Sequence, residues 1–505
     1  MIHELIHEDQ RGCIKGRHGY ECIRILEDVI ENGMDDDGCI LLLDQEKAFD
    51  RVDTEWMFSV LKTFGFGTNF LKWLHIFYKK ANSAILTNGY LSEYFPINRG
   101  VRQGDSLSAL LYIIQAEPLA EALRLSTNIE GIEIKVGENR VEKYLLSQYA
   151  DDTTVILRKT NMVDPCLKII TRFGHASGSK TNLKKTKCLF FSEIKGWQGS
   201  VKLSRGPEIV LGVPVGLKFN MKEYWMKKIE KVKNCLGVWK TRNLSYEGKI
   251  YLIKCYGMSN LLYTMEIKTP PEYIIKEINK VFSNFLWGER AKVKHEICII
   301  PRQFGGLGMP DIYTSLMARR VKFTLNAVSE PEEKWKLIPR MYYAKFDKYY
   351  NMKYFLLNTT DSRSHLDRHL PDFYKDCVLF YQHFLRTCKE PPKSSSDISE
   401  EVIWHNHHIR FNGKSLDYRH WAEVGLLRIK DILHEGTISI FKITDKLKKR
   451  ANLYFELSIL NKAIPAEWLQ VVKTDNNIIC DVENSDLQKC MYQPMASKDI
   501  YNKLK

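Results

Sequence analysis

Lys143-Tyr-Leu-Leu-Ser-Gln-Tyr149-Ala150-Asp151-Asp152-Thr-Thr-Val-Ile-Leu157 is the stretch on which the reading of the fold turns. Both arms are rich in β-branched, aromatic and aliphatic residues. Such residues favour a pleated, half-buried surface, so the pattern predicts a hairpin with two acidic residues at its tip. Two carboxylates a few ångströms apart repel by about 4 kcal/mol at an effective dielectric of about 20, and a fold that keeps them together usually supplies cations. A divalent metal ion is one solution. An acidic turn open to water is the other, because aspartate is a common turn former, and the tetrapeptide by itself favours that plainer reading.

The chain has 505 residues, enough for roughly two to four domains. With 44% hydrophobic and 11% aromatic residues it has ample material for buried cores and does not read as disordered. Seventy-five Lys and Arg against 61 Asp and Glu give a net charge of +14, a balance that suits a polyanionic partner and also occurs in ordinary basic proteins. The 12 cysteines include no C-x-x-C pair and read as reduced thiols. No zinc-knuckle spacing occurs, and His405, His407 and His408 read as surface residues. Nothing resembles a signal peptide, and no apolar run approaches the roughly 18 to 20 residues of a membrane span. A soluble, intracellular protein without membrane contact is therefore expected, in nucleus or cytoplasm. Met1 opens on helix-like sequence already in mid-stride, which suggests an internal start.

Upstream of the acidic pair, Arg11-Gly-Cys-Ile-Lys15-Gly16-Arg17-His-Gly19 is a basic, glycine-rich segment whose backbone can approach phosphates. A helix is predicted from about Tyr20 to Asn32, followed by an acidic turn at 35–38. Cys39-Ile-Leu-Leu-Leu-Asp44 then reads as a buried strand ending in a carboxylate, a usual location for reactive groups. Met57, Val60, Leu61 and Phe64 recur at helical spacing and predict a core helix that ends at Gly65 or Gly67. Asn88-Gly89 predicts a type I′ hairpin within 83–97. It leads to Arg99-Gly-Val-Arg102-Gln103-Gly104-Asp-Ser106 and a helix capped by Asp105 or Ser106.

Asp44, the Arg102-Gln103-Gly104 junction and the Tyr-Ala-Asp-Asp box occur in the order and the strand, helix, strand context of a polymerase palm. The chain resembles the reverse transcriptases of non-LTR, LINE-type retrotransposons. The residues that carry this are Leu-Leu-Leu-Asp44-Gln-Glu-Lys-Ala-Phe49-Asp50, Gly100-Val-Arg-Gln103-Gly104-Asp-Ser-Leu-Ser-Ala-Leu-Leu111 and Tyr149-Ala-Asp151-Asp152. Asp9-Gln10-Arg-Gly12-Cys-Ile-Lys15-Gly16-Arg17 is similar to a fingers motif, Ser177 to Lys187 to the motif after the catalytic hairpin, and Ile209-Val-Leu211-Gly212-Val213 to a primer grip. Asp151 lies 107 residues after Asp44, so one chance acidic cluster does not account for the match.

The resemblance implies an α+β right-hand polymerase: partial fingers and palm with an antiparallel sheet over 1–215, a helical thumb and connection over 216–316, and a mainly helical C-terminal region over 317–505 with an exposed linker near 390–397. It implies RNA-directed DNA synthesis on an RNA template, from a DNA primer and deoxynucleoside triphosphates, with two Mg2+ ions. Asp44 and Asp151 would bridge the ions, Asp152 would support them, and the Gln45 carbonyl would add an oxygen. Phe49 would lie beneath the incoming sugar and exclude a 2′-hydroxyl. Ala150 would leave room for the primer end, while Gln103 and Gly104 would line the nucleotide pocket. Lys15 and Arg17 would meet the triphosphate, and Lys185 would protonate pyrophosphate, in competition with Lys184 and Lys187. Lys222, Lys227, Lys228 and Lys231 would face a nucleic-acid backbone from a thumb helix whose other side carries Trp225, Ile229, Val232 and Leu236. Three departures stand out: Cys13 replaces an aromatic residue, Ser106 and Ala109 stand where prolines are common, and the first fingers motif and an endonuclease have no counterpart in these residues. A non-catalytic nucleic-acid-binding remnant and a two-metal nuclease are the competing readings.

Overall fold

The computed structural model describes residues 2–32, 37–137, 139–190, 199–204, 206–216, 219–288, 290–346, 370–388, 392–434, 436–447, 452–474 and 497–504. Residues 35 and 36 of the expected acidic turn lie outside them. The chain divides into two compact units, Met1–Asn220 and Met221–Lys505. No helix among the described residues is long and apolar enough to cross a membrane.

The first unit is built on a five-stranded sheet. Its strands are β1 (Cys39–Leu43), β2 (Leu146–Tyr149), β3 (Asp152–Leu157), β4 (Lys187–Phe190) and β5 (Lys202–Ser204), in the order β5-β4-β1-β3-β2. β1 is central and runs antiparallel to both β3 and β4. That position explains its unbroken apolar sequence: a strand paired on both edges and covered on both faces has no use for polar alternation. Helices α1 (Gly19–Asn32), α2 (Thr54–Thr63), α4 (Ser108–Arg124) and α5 (Val163–Ser177) flank the sheet, and α3 (Thr68–Tyr78) packs on α2. Leu41, Leu43, Val155 and Leu157 pack with Leu119 and Leu123 of α4 and with Leu167 and Ile170 of α5. Met57, Val60 and Leu61 of α2 meet Leu74, Leu111 and Ile114 in a second cluster. Burial of such side chains contributes about 1.5 to 3 kcal/mol each.

Local signals are honoured where the chain turns. Asp53 accepts the Trp56 N–H at 2.9 Å and starts α2. Asn88 and Gly89 have φ of 51° and 85° between the short strands Leu86–Thr87 and Tyr90–Leu91, the type I′ signature. The helix α4 is not capped as expected by Asp105 or Ser106: its N-cap is Leu107, without a side-chain cap, and Asp105 instead accepts the Leu107 N–H at 3.2 Å in the turn ahead of it. Nor is the arm 143–148 one strand. Residues up to Tyr144 pair with Ile132–Lys135 in a separate hairpin, and only Leu146 onward joins the main sheet, so the two halves of the arm are paired with different neighbours on either side of Leu145. The segment after Gly67 forms α3, which the motif reading passed over.

In the second unit, α6 (Met221–Gly237) buries Trp225, Ile229, Val232 and Leu236. A helical run follows from α7 (Tyr246–Leu252) through a π-helical segment (Ile253–Met258) into α8 (Ser259–Ile267). These elements share a core with α9 (Glu272–Trp287), including Leu261, Met265, Ile278 and Phe282. A separate cluster around Trp404, Trp421 and Trp468 gathers residues from Ile398 to Val472. The expected linker at 390–397 is only partly a connection. Ser394 caps a short helix, Ser395–Glu400, whose Ser395 and Ile398 are buried in that unit, and residues 389–391 lie outside the described ones. A serine run reads as a linker in sequence, yet serine is also a good helix cap.

Candidate active site

Asp44 follows β1 directly, and Asp152 opens β3. Leu43 lies opposite Thr153, so the next step along the antiparallel ladder sets Asp44 beside Asp152. β2 and β3 form a tight hairpin with Tyr149 opposite Asp152, which leaves Ala150 and Asp151 as its two-residue turn. Ala150 adopts φ of 53°, a left-handed conformation that a residue with a Cβ seldom takes. The three aspartates are thus brought to one end of the sheet from two chain segments.

Their electrostatics follow from that crowding. The Asp152 carboxyl is pushed above the usual carboxylate range, first by loss of water and then by the negative charge of Asp151 and of Asp44. Cys13 is exposed and its thiol is also raised, by partial burial and by Asp151, which brings the glycine-rich segment to this end of the sheet. Among the described residues, no three His, Cys, Asp or Glu side chains close around a single ion. Mg2+ is usually held by one or two carboxylates together with waters and substrate phosphates rather than by an all-protein cage. A few adjoining carboxylates, one of them raised by burial and then by its neighbours' charge, fit such an ion, and the hard oxygen donors suit it.

The surrounding segments are tied to this end. The Asp44 N–H donates to Thr186 Oγ1 at 3.3 Å, the Asn182 N–H donates to the Asp44 carbonyl at 2.8 Å, and Gln45 bridges Thr181. Lys185 sits within this turn with its side chain exposed. Lys187 is committed to Glu208 at 2.6 Å and Lys180 to Glu46 at 3.0 Å, so of the lysines considered for proton transfer Lys184 and Lys185 are the ones left exposed. Residues 99–104 dock on the segment after Asp44. The Gly100 N–H donates to the Val52 carbonyl and the Val101 N–H to the Phe49 carbonyl, each at 2.8 Å. A Cβ at Gly100 would stand 2.8 Å from the Asp50 carbonyl oxygen, so glycine alone permits this approach. Gln103 then donates to Asp50 Oδ1 at 3.4 Å, and Gly104 is open to solvent with φ of 91°.

Two residues outside the predicted set belong to this constellation. Tyr112 of α4 is buried, stacks on Phe49 at 4.5 Å between ring centroids and donates its hydroxyl to Gln45 Oε1 at 3.3 Å. Its phenol is held neutral by burial and by the charges of Asp151 and Asp152. Gln10 contacts Ala150 through both ends of its amide. In sequence, Tyr112 looked like one more apolar position of a core helix, and a lone glutamine carries no signal of its own. Arg17 does not stand free for a triphosphate. Its guanidinium donates to the carbonyls of His7 and Gln10, each at 2.7 Å, and of Ile6 at 3.1 Å. Lys15 is exposed on the same loop. In the second unit, Lys222, Lys227 and Lys231 are exposed along α6, Lys228 is half-buried, and Lys227 pairs with Glu223 at 2.7 Å.

Residues 1–239 match the family model described as reverse transcriptase (RNA-dependent DNA polymerase). They form a reverse transcriptase domain. The chain is 25% identical over 503 residues to a Xenopus laevis protein described as the uncharacterized 149 kDa protein of transposon TX1, a match that covers 94% of this chain and 36% of that protein. A putative ribonuclease H protein of Arabidopsis thaliana is 25% identical over 133 residues, covering 25% of this chain and 21% of its own length. A solved structure of telomerase from Candida albicans with a fragment of telomeric RNA matches at a TM-score of 0.34 and 12% identity, over 67% of this chain and 52% of that one. The chain thus spans about a third of the transposon protein and about a fifth of the plant protein.

Proposed function

We propose that this chain is an RNA-directed DNA polymerase that extends a DNA primer on an RNA template with deoxynucleoside triphosphates. The observation that carries the reading is the meeting of Asp44 and Asp152 across one antiparallel ladder, with Asp151 in the adjoining turn and the Asp152 carboxyl raised by burial and then by both neighbours. In this reading residues 1–215 are partial fingers and palm, 216–316 the thumb and connection, and 317–505 a helical C-terminal region.

Asp44 and Asp151 are the residues to hold two Mg2+ ions, with Asp152 and the Gln45 carbonyl in support. Bound there, the ions would activate the primer 3′-hydroxyl and neutralise the phosphates of the incoming nucleotide. The chain's own residues do the rest. Phe49, backed by Tyr112, walls off the space beside the sugar's 2′ carbon. Gln103 and Gly104 border the base and sugar, Ala150 leaves the primer terminus room, and exposed Lys185 supplies a proton to the leaving pyrophosphate. Lys15 remains the candidate for the triphosphate. Arg17 would support it only by holding the loop in place.

Primer extension on an RNA template with deoxynucleotides and Mg2+ tests this. The expected result is synthesis by the intact chain, lost by at least about a thousandfold in Asp151→Asn, because removal of a single transition-state charge partner typically costs about 10² to 10³ and here a metal ligand goes with it. Folded protein that binds RNA in a salt-sensitive manner but shows neither extension nor deoxynucleotide binding would overturn the polymerase reading in favour of a binding remnant. Cleavage of a 3′-labelled duplex without extension would replace it with a nuclease.

A further inference from the structure

The turn that carries Asp151 does not support itself. Ala150 holds φ of 53° in a two-residue turn, outside the strand pairing that ends at Tyr149 and Asp152. The support comes from a residue far upstream. Gln10, with 2% of its surface exposed, accepts the Ala150 N–H on Oε1 at 2.8 Å and donates from Nε2 to the Ala150 carbonyl at 3.2 Å. The side-chain amide thus replaces a neighbouring peptide and satisfies both backbone groups of one residue.

The clamp is itself fixed on several sides. Gln10 Oε1 also accepts the Gly12 N–H at 2.8 Å. The backbone around it joins the edge of β2, with Arg11 N–H donating to the Gln148 carbonyl at 2.8 Å and Gln148 N–H donating to the Asp9 carbonyl at 2.9 Å. Arg17 donates to the Gln10 carbonyl at 2.7 Å, and buried Arg11 pairs with buried Glu21 at 2.9 Å. Gly12 lies against the turn so closely that a Cβ there would stand 2.2 Å from the Ala150 nitrogen.

We propose that Gln10 is a positioning residue for the polymerase: its amide sets the conformation of Ala150 and thereby aims the Asp151 carboxylate beside Asp44 and Asp152. The inference rests on the reading given under Proposed function for its chemistry, and on the hydrogen bonds to Ala150 for its geometry. An amide is the group the place requires. Leucine fills the space with neither bond. Glutamate keeps the acceptor for the Ala150 and Gly12 N–H groups, loses the donor to the Ala150 carbonyl and adds a buried charge near Asp151.

The test uses the full chain carrying Gln10→Leu or Gln10→Glu, with Asp151→Asn as reference. Steady-state extension is expected to show kcat reduced about ten- to a hundredfold in Gln10→Leu, in keeping with the cost of roughly an ångström of misplacement. KM for deoxynucleotide and affinity for primer and template should stay within about twofold. Two further readouts do not need activity. Hydrogen exchange at the Ala150 amide should accelerate in Gln10→Leu and stay slow in Gln10→Glu, and Mn2+ titrated alone into the protein should bind at least about fivefold more weakly in Gln10→Leu. An unchanged kcat together with unchanged Mn2+ affinity overturns the proposal. So does a loss of activity in both variants that only parallels their loss of folded protein in thermal melts. If the unsubstituted chain synthesises no DNA, the polymerase reading fails on its own. The exchange and Mn2+ measurements then decide the positioning role separately.

Discussion

The ring of Phe49 lies against the ring of Tyr112 with 4.5 Å between centroids and 15° between planes, and Tyr112 donates its hydroxyl to Gln45. Phe49 stands in a short 3-10 turn after β1, and Tyr112 stands on α4, so a residue of the turn is braced by a residue of a buried helix. Offset aromatic pairs contribute about 0.5 to 1.5 kcal/mol beyond their buried area. Rotation of the Phe49 ring therefore has a cost that its own turn would not impose.

The first prediction follows. If Phe49 excludes the 2′-hydroxyl, Phe49→Val should raise the use of ribonucleotides relative to deoxynucleotides by at least about tenfold, equal to about 1.4 kcal/mol of discrimination. Tyr112→Ala should relax selectivity in the same direction while leaving Phe49 in place, and Tyr112→Phe, which keeps the stacked ring, should not. Single-nucleotide incorporation with matched ribo- and deoxynucleotides measures the ratio. Equal selectivity in Phe49→Val and the unsubstituted chain would remove Phe49 from the sugar pocket.

Arg17 supplies a second prediction, because its guanidinium closes the carbonyls of Ile6, His7 and Gln10. A hydrogen bond that involves a charged group contributes about 1.5 to 3 kcal/mol, and less where water reaches it. Arg17→Ala should lower the melting temperature of the first unit and loosen Gln10, with a fall in kcat larger than any change in KM for deoxynucleotide. Lys15→Ala should do the reverse, raising KM with little effect on stability. A tenfold rise in KM for Arg17→Ala at unchanged melting temperature would return Arg17 to the triphosphate.

The frame of the site was legible in sequence because its signals are local. A run of apolar residues ending in Asp44, the turn at Asn88-Gly89, and the spacing of Trp225, Ile229, Val232 and Leu236 each reach the structure with the expected form. What escaped depends on pairings between distant segments. Gln10 meets Ala150 across 140 residues, and although both segments stand in motifs that the sequence displays, nothing in either motif says that the two touch. Tyr112 sits on a helix face that is apolar for packing reasons, so its hydroxyl is invisible until Gln45 is placed opposite. The resemblance implies phosphate for Arg17 from its place in the motif, and a guanidinium in that place fits three backbone carbonyls equally well. The division of the arm at Leu145 is a tertiary choice too, since Tyr144 and Leu146 stand in one apolar run and are claimed by different sheets.

Gly306, in the glycine-rich turn of the second unit, offers a stability test with a built-in control. A Cβ at Gly306 would stand 2.1 Å from the Ile300 carbonyl oxygen, where Gly308 N–H already donates at 2.9 Å. Gly305 beside it has φ of 85° and open space around its would-be Cβ. Alanine at 305 meets only the left-handed backbone penalty of about 1 to 2 kcal/mol, whereas alanine at 306 must displace the backbone and should cost at least about 3 kcal/mol. Denaturant unfolding followed by fluorescence should rank Gly306→Ala well below Gly305→Ala. The opposite ranking would mean that the turn does not hold this conformation.

The lysines of α6 allow the nucleic-acid reading to be tested by salt. Each phosphate neutralised by a lysine or arginine on duplex binding contributes about 0.9 to the slope of log affinity against log salt concentration. Lys222 and Lys231 are exposed on α6, while Lys227 is paired with Glu223 at 2.7 Å and Lys228 leans over the Tyr224 ring at 5.5 Å from its centroid. Burial, then the charge of Lys231, lowers the pKa of Lys228, so removing Lys231 relieves a repulsion as well as deleting a contact. Lys222→Ala and Lys231→Ala should each reduce the slope by about one unit and weaken binding to all sequences alike. Lys227→Ala should change the slope by less, because its ammonium is already engaged by Glu223 and does not neutralise a phosphate of its own. Filter binding of an RNA–DNA duplex between low and physiological salt measures the slopes. A slope unchanged in the Lys222→Ala, Lys231→Ala double variant would show that α6 presents these lysines to water and not to a duplex.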